Sequence, residues 1–187
     1  MSTYQIDPAH SSAQFKVRHM MIANVKGEFD KVSGTVNFDP ANPSASTVEA
    51  AIDVASVSTR DEQRDAHLKS PDFFDVAKFP TITFKSKKVT ASGKDSFSVA
   101  GDLTIHGVTK EVTVDVDELT EEAKDPWGNM RRGAEAKTRI HRKDFGMTFP
   151  HGLLRECTIE TMGLRLVDKR HPKVEIGLAN GRLHSRP

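Results

Sequence analysis

Apolar and polar side chains alternate along most of this chain. Ala13, Phe15, Val17 and His19 share one parity, and Gln14, Lys16 and Arg18 share the other, as in a strand with one buried face. The alternation continues over residues 27–38 with a change of phase: Phe29 is odd, whereas Val32, Val36 and Phe38 are even. A bend near Ser33-Gly34 would reconcile the two, as the curved wall of a barrel requires. Val48, Ala50, Ile52 and Val54 mark another strand, and Ile82 with Phe84 begin the next. After the polar turn at 91–96, Phe97, Val99, Gly101, Leu103 and Ile105 give the cleanest period of two. His106-Gly107 is a tight corner, and Val112, Val114 and Val116 bring the chain back. Residues 118–124 are acidic and read as a loop, and 125–129 as a turn enclosing Trp127. Further strands are expected over 134–141, 145–149, 158–167 and 173–178, before a polar tail at 180–187.

One stretch, residues 58–80, departs from this rhythm. Thr59 and Glu62 have capping-box spacing, Asp61 and Glu62 open a first turn, and His67 and Lys69 fall in a last turn. Pro71 biases Ser70 out of helical geometry, so a helix should stop near Lys69. Only Ala66 and Leu68 are apolar within it, so this helix must lie over something built by the strands. The cluster Phe73, Phe74, Val76 and Phe79 follows directly.

Roughly eight to ten strands with one short helix give an antiparallel all-β domain. Periodicity does not separate sandwich from barrel. Small residues on inward faces (Ala13, Ala50, Ser86, Gly101) favour a barrel, where they leave a lumen, over a sandwich, where they leave voids. Residues 1–179 read as a single domain and 180–187 as a disordered tail.

Charge and composition narrow the function. Lys and Arg number 27 against 26 Asp and Glu, a balance that argues against a nucleic-acid partner. No apolar run approaches membrane-spanning length, and no basic segment leads into an apolar one at the start, so a cytoplasmic protein is expected, or a periplasmic one if a signal has been trimmed. A lone Cys157 excludes an internal disulfide framework. The histidines lack metal-ligand spacing, and neither a nucleophile elbow nor a cysteine with a neighbouring base is present. Neither a catalytic residue, nor a metal, nor a cofactor is expected.

Several blocks together resemble a known family. Residues 4–11 (YQIDPAHS) with 15–19 (FKVRH), 64–70 (RDAHLKS) with 73–75 (FFD), 103–110 (LTIHGVTK) and 143–146 (KDFG) resemble, in order, the YceI-like proteins. The resemblance implies an antiparallel lipocalin-like β-barrel of about eight strands, with a helical crossover near 60–70. It also implies a polyisoprenoid or isoprenoid quinone in the lumen, and a homodimer.

Under that reading the lumen candidates are Phe15, Val17, Val36, Phe38, Ile52, Phe74, Phe79, Phe84, Val99, Leu103 and Ile105. A polar head group would sit at a mouth, near His19, Arg60, His67 or His106, each polar at the end of an apolar run. Arg18 has the outward parity. The expected role is carriage, storage or sequestration of the lipid. The alternatives are an enzyme acting on a small prenylated substrate, with His19, His67 or His106 as acid–base groups, and a stress-response structural protein with a filled barrel.

Overall fold

The computed structural model describes residues 1–19, 23–148 and 157–168. Twelve strands form one sheet that closes through the pairing of its eleventh and twelfth members. Three of the walls are broken strands. β1 (Ser2–Ile6) and β2 (Ser12–His19) run in the same direction and pair with successive parts of β12 (Cys157–Asp168). β3 (Ala23–Phe29) pairs with β2, and β4 (Val32–Phe38) pairs with β1. β5 (Thr47–Asp53) continues through a short 3₁₀ turn into β6 (Val57–Ser58). The other walls are β7 (Thr81–Ala91), β8 (Phe97–Ile105), β9 (Val108–Asp117) and β11 (Met130–Ile140), with the two-residue β10 (Ala123–Lys124) beside β11. Counting each broken pair once gives a closed eight-stranded antiparallel barrel.

The expected alternation is realised most regularly in β8, where every odd residue from Phe97 to Ile105 is buried. The phase change in the second wall is real, but it falls earlier than expected. Asp30 and Lys31 interrupt the strand, so Phe29 and Val32 both point inward across the break, and Ser33-Gly34 lies inside β4. The segment at 145–149 is not a strand where it is described. Phe145, Met147 and Phe149 imitate period two, but Arg142–Phe145 is a 3₁₀ turn ended by Gly146 at φ 73°. The strand expected at 173–178 and the tail at 180–187 lie outside the described residues.

The helix α1 (Glu62–Lys69) stops where expected and buries none of its residues. Its N-cap is Asp61, whose carboxylate accepts from the Arg64 N–H, and not Thr59 as the capping-box spacing suggests. Thr59 is buried and does a different job. Its N–H and hydroxyl both donate to Asp65, and Arg64 donates to its hydroxyl and carbonyl oxygens. The helix is thereby tied to the end of β6 by hydrogen bonds instead of an apolar face.

The barrel has two unlike ends. At the helix end lie α1 with its Phe cluster, the β8–β9 corner and the 141–148 turn. At the far end lie the loop 39–46, the hairpin 92–96 and the loop 118–129. The larger core cluster fills the helix half with Phe15, Phe29, Val57, Ile105, Phe145 and Met147, among others. A smaller one, Val89, Phe97 and Val99, stands toward the far end.

Candidate functional site

Between these two clusters is a cavity of about 130 Å³ inside the barrel. Its floor toward the helix is made by Phe15, Phe29 and Ile82, and its far end by Phe38, Phe97, Val116, Leu119 and Arg132. Ala13, Ala50, Ala134 and Ala136 line it and are small enough to leave the space. Gly101 does not contribute in the expected way. A Cβ there would meet the Phe84 ring at 2.7 Å and the Lys85 carbonyl oxygen at 2.5 Å, so its missing side chain is already filled by Phe84 and by the neighbouring strand. Ser86 is likewise engaged, its hydroxyl accepting from the Val48 N–H at 2.8 Å. The lining is apolar throughout: Gln14, Lys137 and Thr138 border it through their carbon atoms. A dry apolar cavity of ~150 Å³ is known to take a benzene-sized guest.

Of the lumen candidates, Phe15, Val36, Phe38, Ile52, Phe84, Val99 and Leu103 line this cavity. Val17, Phe74, Phe79 and Ile105 do not. Val17 and Ile105 pack into the helix-end core, and Phe74 stands edge-on to Phe29 with centroids 5.6 Å apart. Phe79 caps the β8–β9 corner, its ring 4.7 Å from His106 and against Gly107.

Of the head-group candidates, Arg60, His67 and His106 lie at the helix end, and none of these three borders the cavity. Arg60 is exposed at φ 62° in the link to α1. His67 lies 3.1 Å from an Asp72 carboxylate oxygen and edge-on to Phe73. His106 stands edge-on to Phe79. The side chain of His19 lies outside the described residues. Aromatic rings stand between Arg60, His67 and His106 and the lumen, so a polar head beside any of the three would have to cross the packed core.

The far end is built differently. Asp125 accepts hydrogen bonds from the N–H groups of Trp127 and Asn129, from the Asn129 side chain and from Arg131. Burial alone would raise its pKa, but the hydrogen bonds from Asn129 and Arg131 prevail and hold the carboxyl well below the usual carboxylate range. Arg131 also reaches Asp7 at 2.9 Å, and His10 meets the same Asp7 oxygen. Burial opposes the shift at Asp7 too, but its bonds from His10 and Arg131 carry the pKa downward. This network fixes the turn that presents Trp127, which is 74% exposed.

Next to Arg131 along the strand, Arg132 turns inward. Its Nε donates to the Tyr4 hydroxyl at 3.1 Å and its Nη1 to the Thr120 carbonyl at 2.8 Å, while its guanidinium lies 5.6 Å from the centre of the Phe38 ring. The Tyr4 hydroxyl donates to Glu122 at 2.8 Å. Burial is the main cause that raises the Tyr4 pKa; Arg132 pulls it down and Glu122 pushes it up. Sequence reading missed Arg132. The only available signal was its place in the alternation MRRGAEA, two and four residues before Ala134 and Ala136 on the same inward parity.

Among the described residues, no group of three or more His, Cys, Asp or Glu side chains could hold a metal ion, and no helix is long and apolar enough to cross a membrane.

The family model for the YceI-like domain matches residues 4–167. The chain belongs to the YceI-like family. A UPF0312 protein of Vibrio cholerae is 42% identical over 146 residues, covering 77% of each chain. The crystal structure of Burkholderia cenocepacia BcnA superposes with a TM-score of 0.71 at 27% identity, covering 87% of this chain and 98% of that one. A polyisoprenoid binding domain from Saccharophagus degradans superposes with a TM-score of 0.67, covering 90% of this chain and 99% of that one; at 16% identity it speaks for the fold of this YceI-like chain alone.

Proposed function

We propose that this YceI-like protein binds a long-chain polyisoprenoid or isoprenoid quinone, its apolar tail held in the barrel lumen, for carriage, storage or sequestration. The observation that carries the reading is the cavity itself: an apolar-walled space inside a barrel whose other half is packed solid. The polyisoprenoid binding domain of the same fold gives it support. At ~0.8 kcal/mol per buried CH₂, a five-carbon isoprene unit gains roughly 4 kcal/mol gross, so a few units suffice after the costs of association. By its volume the lumen seats about one such unit as it stands. A longer chain requires Leu119 and Phe38 to swing away from the far end. Non-enzymatic action, a homodimer and a cytoplasmic setting complete the proposal.

The test is organic extraction of the protein purified from its own organism, followed by mass spectrometry. A prenyl lipid in stoichiometric amount is expected. No lipid in the extract, together with no uptake of prenyl chains in vitro, would overturn the reading.

A further inference from the structure

We propose that Arg132 and Tyr4 form the seat for the polar head of the bound chain, and that this head is an anion of the phosphate class. The inference rests on the lipid-binding reading above and adds an end and a charge to it. The two adjacent arginines of β11 carry the argument. Arg131 points out and is matched by two carboxylates, Asp7 and Asp125. Arg132 points in, and both of its hydrogen bonds go to uncharged oxygens, those of Tyr4 and Thr120. Among the described residues, no carboxylate lies within ion-pairing distance of it.

A half-buried guanidinium against a phenylalanine face, its nearest carboxylate (Glu122) held off behind the Tyr4 hydroxyl instead of paired with it, is a costly arrangement for folding alone. Its cost is offset when an anion arrives. The stem of Arg132 borders the lumen, so a chain lying along the lumen brings its terminal group to the guanidinium without turning. The planar fork retains N–H groups beyond the two it has spent, and such a fork matches phosphate oxygens in pairs.

Tyr4 supplies a second donor. Its proton is now taken by a carboxylate oxygen of Glu122, from the same loop that places Leu119 over the lumen. That carboxylate stands where an oxygen of the head would sit. A phosphate taking over the Tyr4 hydrogen bond releases Glu122, while Thr120 stays held by Arg132 and Gly133 and keeps the guanidinium in place beside the head.

The experiment compares farnesyl phosphate with farnesol by titration calorimetry on the full chain and on Arg132→Gln, with inorganic phosphate as a third ligand. For the unaltered chain the phosphate should bind at least about tenfold more tightly than the alcohol, the weight of one charge-assisted hydrogen bond. Arg132→Gln should erase that gap and leave farnesol binding within about twofold. If the Gln variant melts early, Arg132→Lys serves instead; it keeps the charge without the fork and should retain part of the gap. Equal binding of phosphate and alcohol to the unaltered chain, or a gap that survives Arg132→Gln, overturns the head assignment while leaving the lipid reading intact. Inorganic phosphate binding as tightly as farnesyl phosphate overturns it too, since the site would then serve a free anion. Failure of both prenyl ligands to bind sinks the lipid reading itself.

Discussion

The helix end and the far end of the barrel are closed by different physics. At the helix end, rings interlock: Phe15 with Phe29, Phe29 with Phe74, Phe79 with His106 and Gly107, and Phe145 almost completely buried beneath them. Such packing is dense, and it is slow to rearrange because every ring depends on its neighbours. At the far end the closing pieces are hydrogen bonds among Tyr4, Glu122, Arg132 and Thr120, with Leu119 as the apolar contact over the lumen. Hydrogen bonds beside water exchange partners at little net cost. A barrel that must hold a chain and also release it needs one end of each kind.

The largest effect should come from the packed end. Phe145→Ala removes a ring that is 1% exposed and should cost about 3–5 kcal/mol in denaturant unfolding. A loss below about 1 kcal/mol would show that the helix end is no more tightly built than the far one.

Next comes the space between the ends. Ala134→Phe places a ring in the lumen, and prenyl-chain affinity should fall by about a hundredfold or more, read by calorimetry. Stability should change by no more than the ~1–3 kcal/mol typical of overpacking. Undiminished binding would place the ligand outside the barrel.

A smaller effect is expected from the frame of the far end. The Asp125 carboxyl is held below its ordinary range in the folded protein, so its contribution is present above the unfolded value near ~4 and is lost as pH falls through the folded value. Asp125→Asn should lower the melting temperature by a few degrees at neutral pH and flatten its decline below about pH 4. An unchanged acid limb would remove Asp125 as the cause. The smallest effect belongs to Trp127→Ala. This side chain is 74% exposed, and its loss should alter stability by less than about 0.5 kcal/mol in the same unfolding assay.

Much of the barrel was legible in the sequence because its signal is local. Strand alternation, the His106-Gly107 corner and the C-terminal limit of α1 depend on residues close together in the chain. What escaped depends on distant partners. The inward Arg132 and outward Arg131 are neighbours with identical chemistry; Asp7 and Tyr4, both more than a hundred residues away in the chain, tell them apart. The head-group candidates were drawn to polar residues at the ends of apolar runs, but such residues occur at both ends, and ring packing decides which end is sealed. Gly101 appeared to open space, although the Phe84 ring from the next strand fills it. The short odd-numbered run at 145–149 read as a strand because period two over so few residues is weak evidence against a glycine-terminated turn.

The contrast between the ends is tested most directly by photo-crosslinking. A prenyl chain carrying a diazirine at its polar end would be bound, irradiated, and its attachment mapped by peptide mass spectrometry. Labelling of Tyr4, Phe38, Leu119 or Arg132 is the expected result. Labelling of Phe73, Phe79 or His106 instead would put the head at the helix end and contradict the account.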